Sequence, residues 1–510
     1  MDKEILVHKV KNVILKLIFP IEFIVALCMT YSIFRFTILK NYAETVSIKH
    51  LIYIIILGSI LLLLIICNYR KNKEKIEKIV ISFLIPIGML YTIFMLPSQI
   101  PDELGHLWRA YEISEGTLIS SKDPTTVPSD LVYHVKSYVN TYQEFYEVLS
   151  DETDYNDRVE VNNTFKTYPF FLYMFGAIGF FIARILHLNI LLGCYLACLM
   201  NFIVLLVTVY YAIKIIPFGK WAITSIVFMP MFLHQATSTS ADSIINCLSL
   251  LFICFVVSLV FKEGEMTQKE KGSFFLLSVL LALSKYVYLP IIFIGILLMF
   301  SKNIDGKKRM IMLSITFSIS IFLVITYFIF SNTYESPHKK YEEDNHVNIS
   351  SQTKEIISHP INFVKTLGNT LYLKGEEWIG MMVGTHLGWL EIHVPSLTII
   401  TYVIVILISC FIEKNEVAFN VAQKVFSMLI CIGTIILVIT GLYLHWTGVG
   451  ANVVEGVQGR YFIPAVFLLV LCLCKKENYI KIKNIQLILP IVLCFLNFSA
   501  LNAIYQFFIS

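Results

Sequence analysis

From residue 17 to residue 507 the chain alternates apolar runs of membrane-spanning length with polar connectors. A helix needs about 20 apolar residues to cross the roughly 30 Å hydrocarbon layer, and helices satisfy their own backbone groups there. The pattern therefore predicts an all-α polytopic membrane protein. Two interruptions are far longer than the rest: residues 97–167, rich in Asp, Glu, Asn, Ser and Tyr, and residues 332–395. Both are too long for plain connectors, which marks them as functional loops.

Lysine and arginine set the expected orientation. Residues 1–16, with Lys9, Lys11 and Lys16, and residues 68–78, with Arg70, Lys71, Lys73, Lys75 and Lys78, are basic. The positive-inside bias puts both in the cytoplasm, N-terminus included, and makes 17–39 and 51–67 a hairpin. The run 79–96 then leaves the cell, so 97–167 is extracytoplasmic. Lys214, Lys220, Lys262, Lys269 and Lys271 also favour the inside, so 168–186 and 190–213 cannot both cross. Laying 168–186 in the outer leaflet resolves the conflict and leaves 237–242 outside. The run 274–300, interrupted at Ser284-Lys285-Tyr286, becomes two short tilted helices with Lys285 at their outer turn; a single long helix with buried Lys285 would instead put Asp242 inside. Lys302, Lys307, Lys308 and Arg309 are again inside, and runs at 310–330, 398–412, 425–444, 461–474 and 485–507 complete about thirteen spans plus one juxtamembrane helix. The expected organisation is a hairpin (1–78), a catalytic module (79–331), a second outer loop (332–395) and C-terminal transmembrane helices (396–510).

Composition agrees with a bilayer and narrows the partners. The 510 residues are 57% hydrophobic and 15% charged, with mean hydropathy +0.72, too little polar surface to clothe a soluble globule. The net charge of +4 is small and falls in short clusters between apolar runs, so nucleic acid is not an expected partner. The eleven cysteines lie in or at the ends of apolar runs. They imply neither a disulfide framework nor a zinc site, Cys472 and Cys474 included. The basic N-terminus lacks a small-residue cleavage site, so the first run is expected to stay as an anchor.

Four polar clusters share the outer level under this topology: Asp102-Glu103 with His106 and Arg109, Ser240 to Asp242, Lys285-Tyr286, and Glu455 to Tyr461 with Arg460. A helix would align Asp102, His106 and Arg109 on one face at i, i+4 and i+7. A carboxylate can take a proton from an acceptor hydroxyl while ammonium and guanidinium groups hold a phosphate leaving group. Each cluster also has a plainer reading. Asp102 could complement a helix start, Asp242 could be an N-cap, Lys285 could snorkel, and Arg460 could fix membrane depth. His386 and His393 could hold a metal with Glu391, although a turn with incidental histidines explains them as well.

At these residues the chain resembles a family of bacterial polytopic membrane proteins, the domain of unknown function 2142 family. The likeness rests on Pro101-Asp102-Glu103 with His106, Arg109-Ala110-Tyr111 and Gly116; on Ser240-Ala241-Asp242-Ser243; on Gly388-Trp389-Leu390-Glu391 before Pro395; and on Val457-Gln458-Gly459-Arg460-Tyr461 with Pro464. It covers most of the chain after about residue 80. That family in turn looks like the GT-C superfamily of polyprenyl-phosphate-dependent glycosyltransferases. The resemblance implies a GT-C-like fold in the bacterial plasma membrane, with Asp102 or Glu103 as the catalytic acid after a transmembrane helix. It implies further that Asp242 and Lys285 lie near the donor phosphate, and that Thr167-Tyr168-Pro169-Phe170 is juxtamembrane.

The expected activity is inverting transfer of a sugar from a polyprenyl-phosphate donor to a cell-envelope glycan or lipid-linked acceptor. Asp102, or second Glu103, is the base; Lys285 and Arg460, with Tyr461 beside them, neutralise phosphate; His106 and Arg109 orient acceptor or phosphate. Asp242 holds a sugar hydroxyl or a donor-site divalent cation, the one cofactor considered, and the second acidic pair that binds metal in the oligosaccharyl branch is missing. The rivals are a transporter or flippase of lipid-linked saccharides, whose charges should line a path at mid-membrane, and a non-catalytic partner in polysaccharide assembly.

Overall fold

Helix lengths sort the elements into two groups. A computed structural model describes residues 17–42, 48–120, 124–135, 141–149, 151–163, 165–301, 305–331, 339–477 and 480–509; the basic stretch with Lys9, Lys11 and Lys16, and Lys302, lie outside the described residues. The chain opens with α1 (Ile18–Tyr42), α2 (Ile48–Lys71) and α3 (Ile76–Phe94), then α4 (Glu103–Ser114), an antiparallel pair β1 (Thr125–Pro128) and β2 (Arg158–Val161), and α5 (Met174–Ile185). Next come α6 (Ile190–Ile215), α7 (Lys220–Val227), α8 (Pro230–Ala236), α9 (Ala241–Val260), α10 (Gln268–Ser284), α11 (Tyr286–Phe300) and α12 (Gly306–Ser331). A second polar region carries α13 (Ile349–Ser358), α14 (Pro360–Val383) and the hairpin β3 (His386–Leu387) with β4 (Ile392–His393). The chain ends with α15 (Ser396–Ser409), α16 (Val421–His445), α17 (Gly459–Leu473) and α18 (Ile485–Ile509).

Among the described residues eight helices, α1, α2, α3, α6, α9, α12, α16 and α18, are long and apolar enough to cross a bilayer. The protein is a mostly helical, multi-pass membrane protein. Five further stretches expected to cross, α7–α8, α10, α11, α15 and α17, are shorter or broken helices. At 1.5 Å per residue, a 14-residue helix such as α15 covers only about 21 Å. Between α7 and α8 the helix breaks at Met229-Pro230, since proline lacks the N–H that would continue it. The carbonyls freed there are not orphaned: Asn497 of α18 donates to Phe228 O at 2.8 Å and Tyr402 of α15 donates to Ser225 O at 3.2 Å. Broken helices persist at membrane depth only with such partners.

The run 168–186 forms a helix shorter than the eight. Its helix α5 has 12 residues, about 18 Å. Met174, Ile178, Phe181 and Ile185 leave one side of it exposed and apolar, while Gly176, Ala177, Phe180 and Ala183 are buried. Gly179 sits against the backbone of Leu196 and Ala197, the close approach that small residues permit between helices. The expected break at Lys285 is present, with φ −163° and ψ 122° separating α10 from α11.

The two ends of the bundle differ. At one, Phe218, Phe261 and Phe419 form an aromatic cluster, and Asn415 bonds to Gly219 and to the backbone at Lys475 and Lys476. The basic turns at Lys214–Lys220, Lys262 and Lys475 belong to this end. At the other end α3 runs out, α9 begins, the α10–α11 break falls and α17 starts.

Candidate functional site

Four turns bring the charged residues together at that second end. Arg460 Nη2 lies 3.7 Å from Asp102 Oδ2, Arg460 Nε 4.0 Å from Asp242 Oδ2, and Lys285 Nζ 3.4 Å from Asp242 Oδ1. Tyr461 takes both cations on its ring, Lys285 Nζ at 4.9 Å and the Arg460 guanidinium at 5.2 Å. Residues as far apart as 102 and 460 therefore form one alternating cluster of two acids and two bases. Arg460 is buried, and among the described residues its Nε and Nη1 have no hydrogen-bond partner. A buried guanidinium left this way is costly unless an anion completes it.

Local backbone explains how Asp102 reaches the cluster. It stands at the N-cap of α4 yet makes no capping bond, and its φ of +70° is left-handed, a conformation aspartate tolerates better than most residues. Ser98 in the same turn is also left-handed. That turn is held from outside: Trp389 Nε1 donates to Ser98 O at 3.1 Å, and the backbone of Gly388 donates to His234 Nε2 at 3.0 Å. The Gly388-Trp389-Leu390-Glu391 motif is thus a hairpin tip that braces the Asp102 turn. Its histidines, His386 and His393, are cross-strand neighbours with ring centroids 4.8 Å apart. Among the described residues no group of three His, Cys, Asp or Glu is placed to hold a metal.

Adjacent acids take different roles. The Asp102 side chain is 48% exposed, whereas Glu103 is sealed: its Oε1 accepts from Thr239 N at 3.0 Å and Thr239 Oγ1 at 3.3 Å, tying α4 to the turn before α9. Burial pushes the Glu103 carboxyl up to about 7. It has no open path to an acceptor, so the second choice for the base is not favoured by its surroundings. Asp242 is not the N-cap of α9; Ser240 is, accepting from Asp242 N at 3.3 Å, which leaves the Asp242 carboxylate to the two cations.

The two other expected residues of α4 part company. Arg109 stands away from the cluster, held by partners of its own. Its guanidinium pairs with Glu112 at 2.7 Å and donates to the Thr117 and Leu118 carbonyls, where it closes the loop after α4. His106 does face the cluster, with Asp102, Asp242, Lys285 and Arg460 all acting on it, but burial pushes its pKa down to about 4. Its Nδ1 is bonded to Tyr173 Oη at 2.8 Å and its ring lies tilted against Phe165, centroids 4.0 Å apart. Tyr173, Phe165 and Trp389 were not singled out from the sequence as site residues; Trp389 alone carried a signal, through its motif.

A model of one family, described as predicted membrane protein (DUF2142), matches residues 83–469. It leaves out α1 and α2, in keeping with the first hairpin standing apart from the resemblance. No curated protein and no solved structure matches the chain. The match spans the Asp102 turn, the α9 start, the α10–α11 break, the hairpin tip and Arg460, and with most of its length covered the chain belongs to the DUF2142 family of predicted membrane proteins.

Proposed function

We propose that this protein is a membrane-embedded glycosyltransferase that moves a sugar from a polyprenyl-phosphate carrier to a hydroxyl of a cell-envelope glycan or lipid-linked acceptor. The observation that carries the reading is the buried, incompletely bonded Arg460 guanidinium 3.7 Å from the half-exposed Asp102 carboxylate. A cation aimed where an anion would sit and an open base beside it are what displacement at a sugar carbon requires. Asp102 takes the acceptor O–H proton as the acceptor oxygen bonds to the anomeric carbon. The bond from that carbon to the phosphate oxygen breaks, and its electron pair stays on phosphate, held by Arg460 and Lys285. A single displacement inverts the anomeric centre.

The gathering of basic turns at the opposite end supports an extracytoplasmic site by the positive-inside bias. It also argues against a path across the bilayer, since these charges sit at one level rather than along an axis. The test uses purified protein in liposomes with a polyprenyl phosphate bearing a radiolabelled sugar. Release of free polyprenyl phosphate with the label appearing on acceptor supports the reading. Carrier movement between leaflets with the bond intact overturns it.

A further inference from the structure

The second polar region holds a pocket that the charged cluster does not use. Its walls are pinned from both sides. Gln352 of α13 is buried, donates to Tyr443 O at 3.2 Å and accepts from Gly450 N at 2.9 Å, while Thr366 and Thr370 of α14 bond to the backbone of Ala451 and Val454. Between these walls lies a cavity of about 250 Å³. Asn362, Asn369 and Asn452 line it with Glu355, His359 and Lys365, and the three amides are not taken up by hydrogen bonds to other described residues. Phe363, also in the lining, lies over Tyr443 with ring centroids 5.4 Å apart. The connector from this pocket to the cluster follows α14: Ala451 is at Thr366, Val454 at Thr370, and Gly459 against Trp378 and Met382. Residues 366–378 of a helix cover about 18 Å.

We propose that this pocket is a saccharide subsite, holding one unit of a neutral glycan chain whose accepting end lies at Asp102. The role as acceptor rests on the transferase reading; the binding of glycan does not. Side-chain amides both donate and accept, as sugar hydroxyls do, and an aromatic face attracts the weakly positive C–H groups of a sugar ring. The charged groups of the lining carry both signs, Glu355 within 3.0 Å of His359 Nδ1 and Lys365 beside them. Such a lining selects hydroxyls over the phosphates of an anionic polymer, which call for arginine or clustered cations. The volume falls below the roughly 300 Å³ at which drug-sized sites begin, so it takes part of a chain rather than a whole ligand. Its distance from the cluster makes the pocket and the base separate points on one glycan of several units, and gives the long second outer loop a task.

The test uses the full-length protein in nanodiscs and two fluorescent, end-labelled probes: oligosaccharides from the envelope of the source organism, freed of phosphate by hydrofluoric acid, and polyglycerol phosphate. The neutral probe is expected to bind, and polyglycerol phosphate to bind more weakly. Asn369→Leu narrows the pocket and removes an amide at an exposed position, and should weaken binding of the neutral probe at least fivefold. Lys374→Ala, exposed on the same helix outside the pocket, should not change it. Asn452→Ala carries the same expectation as Asn369→Leu if that variant does not accumulate. In turnover, Asn369→Leu should raise the KM for a long acceptor and leave kcat and the KM for a monosaccharide acceptor as they are. No binding of the neutral probe, equal or tighter binding of polyglycerol phosphate, or unaltered affinity in a folded Asn369→Leu protein overturns the proposal. Because binding is read without donor, a held glycan with no sugar release refutes only the transferase reading, and sugar release with no glycan held in the pocket refutes only this one.

Discussion

Asp102→Asn separates chemistry from stability more cleanly than any other change at the site. The replaced carboxylate caps nothing and is 48% exposed, and its ion pair with Arg460 spans 3.7 Å. Pairs of that kind contribute about 0–1 kcal/mol. Arg460 keeps Asp242 at 4.0 Å, so no buried charge is stranded, and asparagine accepts the left-handed φ of +70° as readily as aspartate. The folded state should therefore lose less than about 1 kcal/mol. Catalysis should lose a general base, typically a factor of ~10²–10⁴, or about 3–5 kcal/mol in the barrier. The assay is release of polyprenyl phosphate by reconstituted protein, beside thermal unfolding in the same detergent. A release rate within threefold of the wild type at equal protein refutes Asp102 as the base; a rate loss that merely tracks a loss of folded protein makes the residue structural.

Further expectations come from its neighbours. Arg460→Lys keeps the charge but removes the planar fork, and should raise the KM for donor about tenfold or more in a protein that still folds; an unchanged KM would remove Arg460 from the phosphate site. Glu103 is held at about 7 in the folded protein against 4.5 as a free side chain, so its contribution is full below pH 4.5 and is lost as pH rises through 7. The loss is at most about 3 kcal/mol at 1.36 kcal/mol per unit, and Glu103→Gln, which keeps the acceptor for Thr239, should flatten the melting temperature between pH 5 and 8. Gly459→Ala places a Cβ against the backbone of Trp378 and Met382, which cannot yield as a side chain would, and should cost about 1–3 kcal/mol by melting. Trp389→Phe removes the bond to Ser98 O, worth about 1 kcal/mol, and should lower the release rate by loosening the Asp102 turn; an unaltered rate would mean the hairpin does not brace it.

Much of this architecture is legible in the residues. Apolar runs of sufficient length gave the eight long helices, because the bilayer imposes length and composition on any segment that crosses it. The α10–α11 break was readable from Lys285, a charge that an uninterrupted apolar helix would not carry at that place. The conflict among lysines around 168–214 indicated that one of the two runs does not cross, and the run 168–186 carries the shorter helix, α5. By contrast, the tolerance of the break between α7 and α8 could not be read, since the carbonyls freed at Pro230 are satisfied by Asn497 and Tyr402, residues more than 170 positions away.

What the sequence by itself determined is the membrane class, the family motifs and the set of charged residues that reach one end of the bundle. Tertiary structure alone decided the division of labour within that set. Asp102 and Glu103 are neighbours of the same chemistry, and only the turn that aims one at Arg460 and the other at Thr239 tells them apart. Arg109 fell away because Glu112 and the carbonyls of Thr117 and Leu118 take its guanidinium. Burial and partners are properties of surroundings assembled from distant segments, and no local pattern of residues carries them.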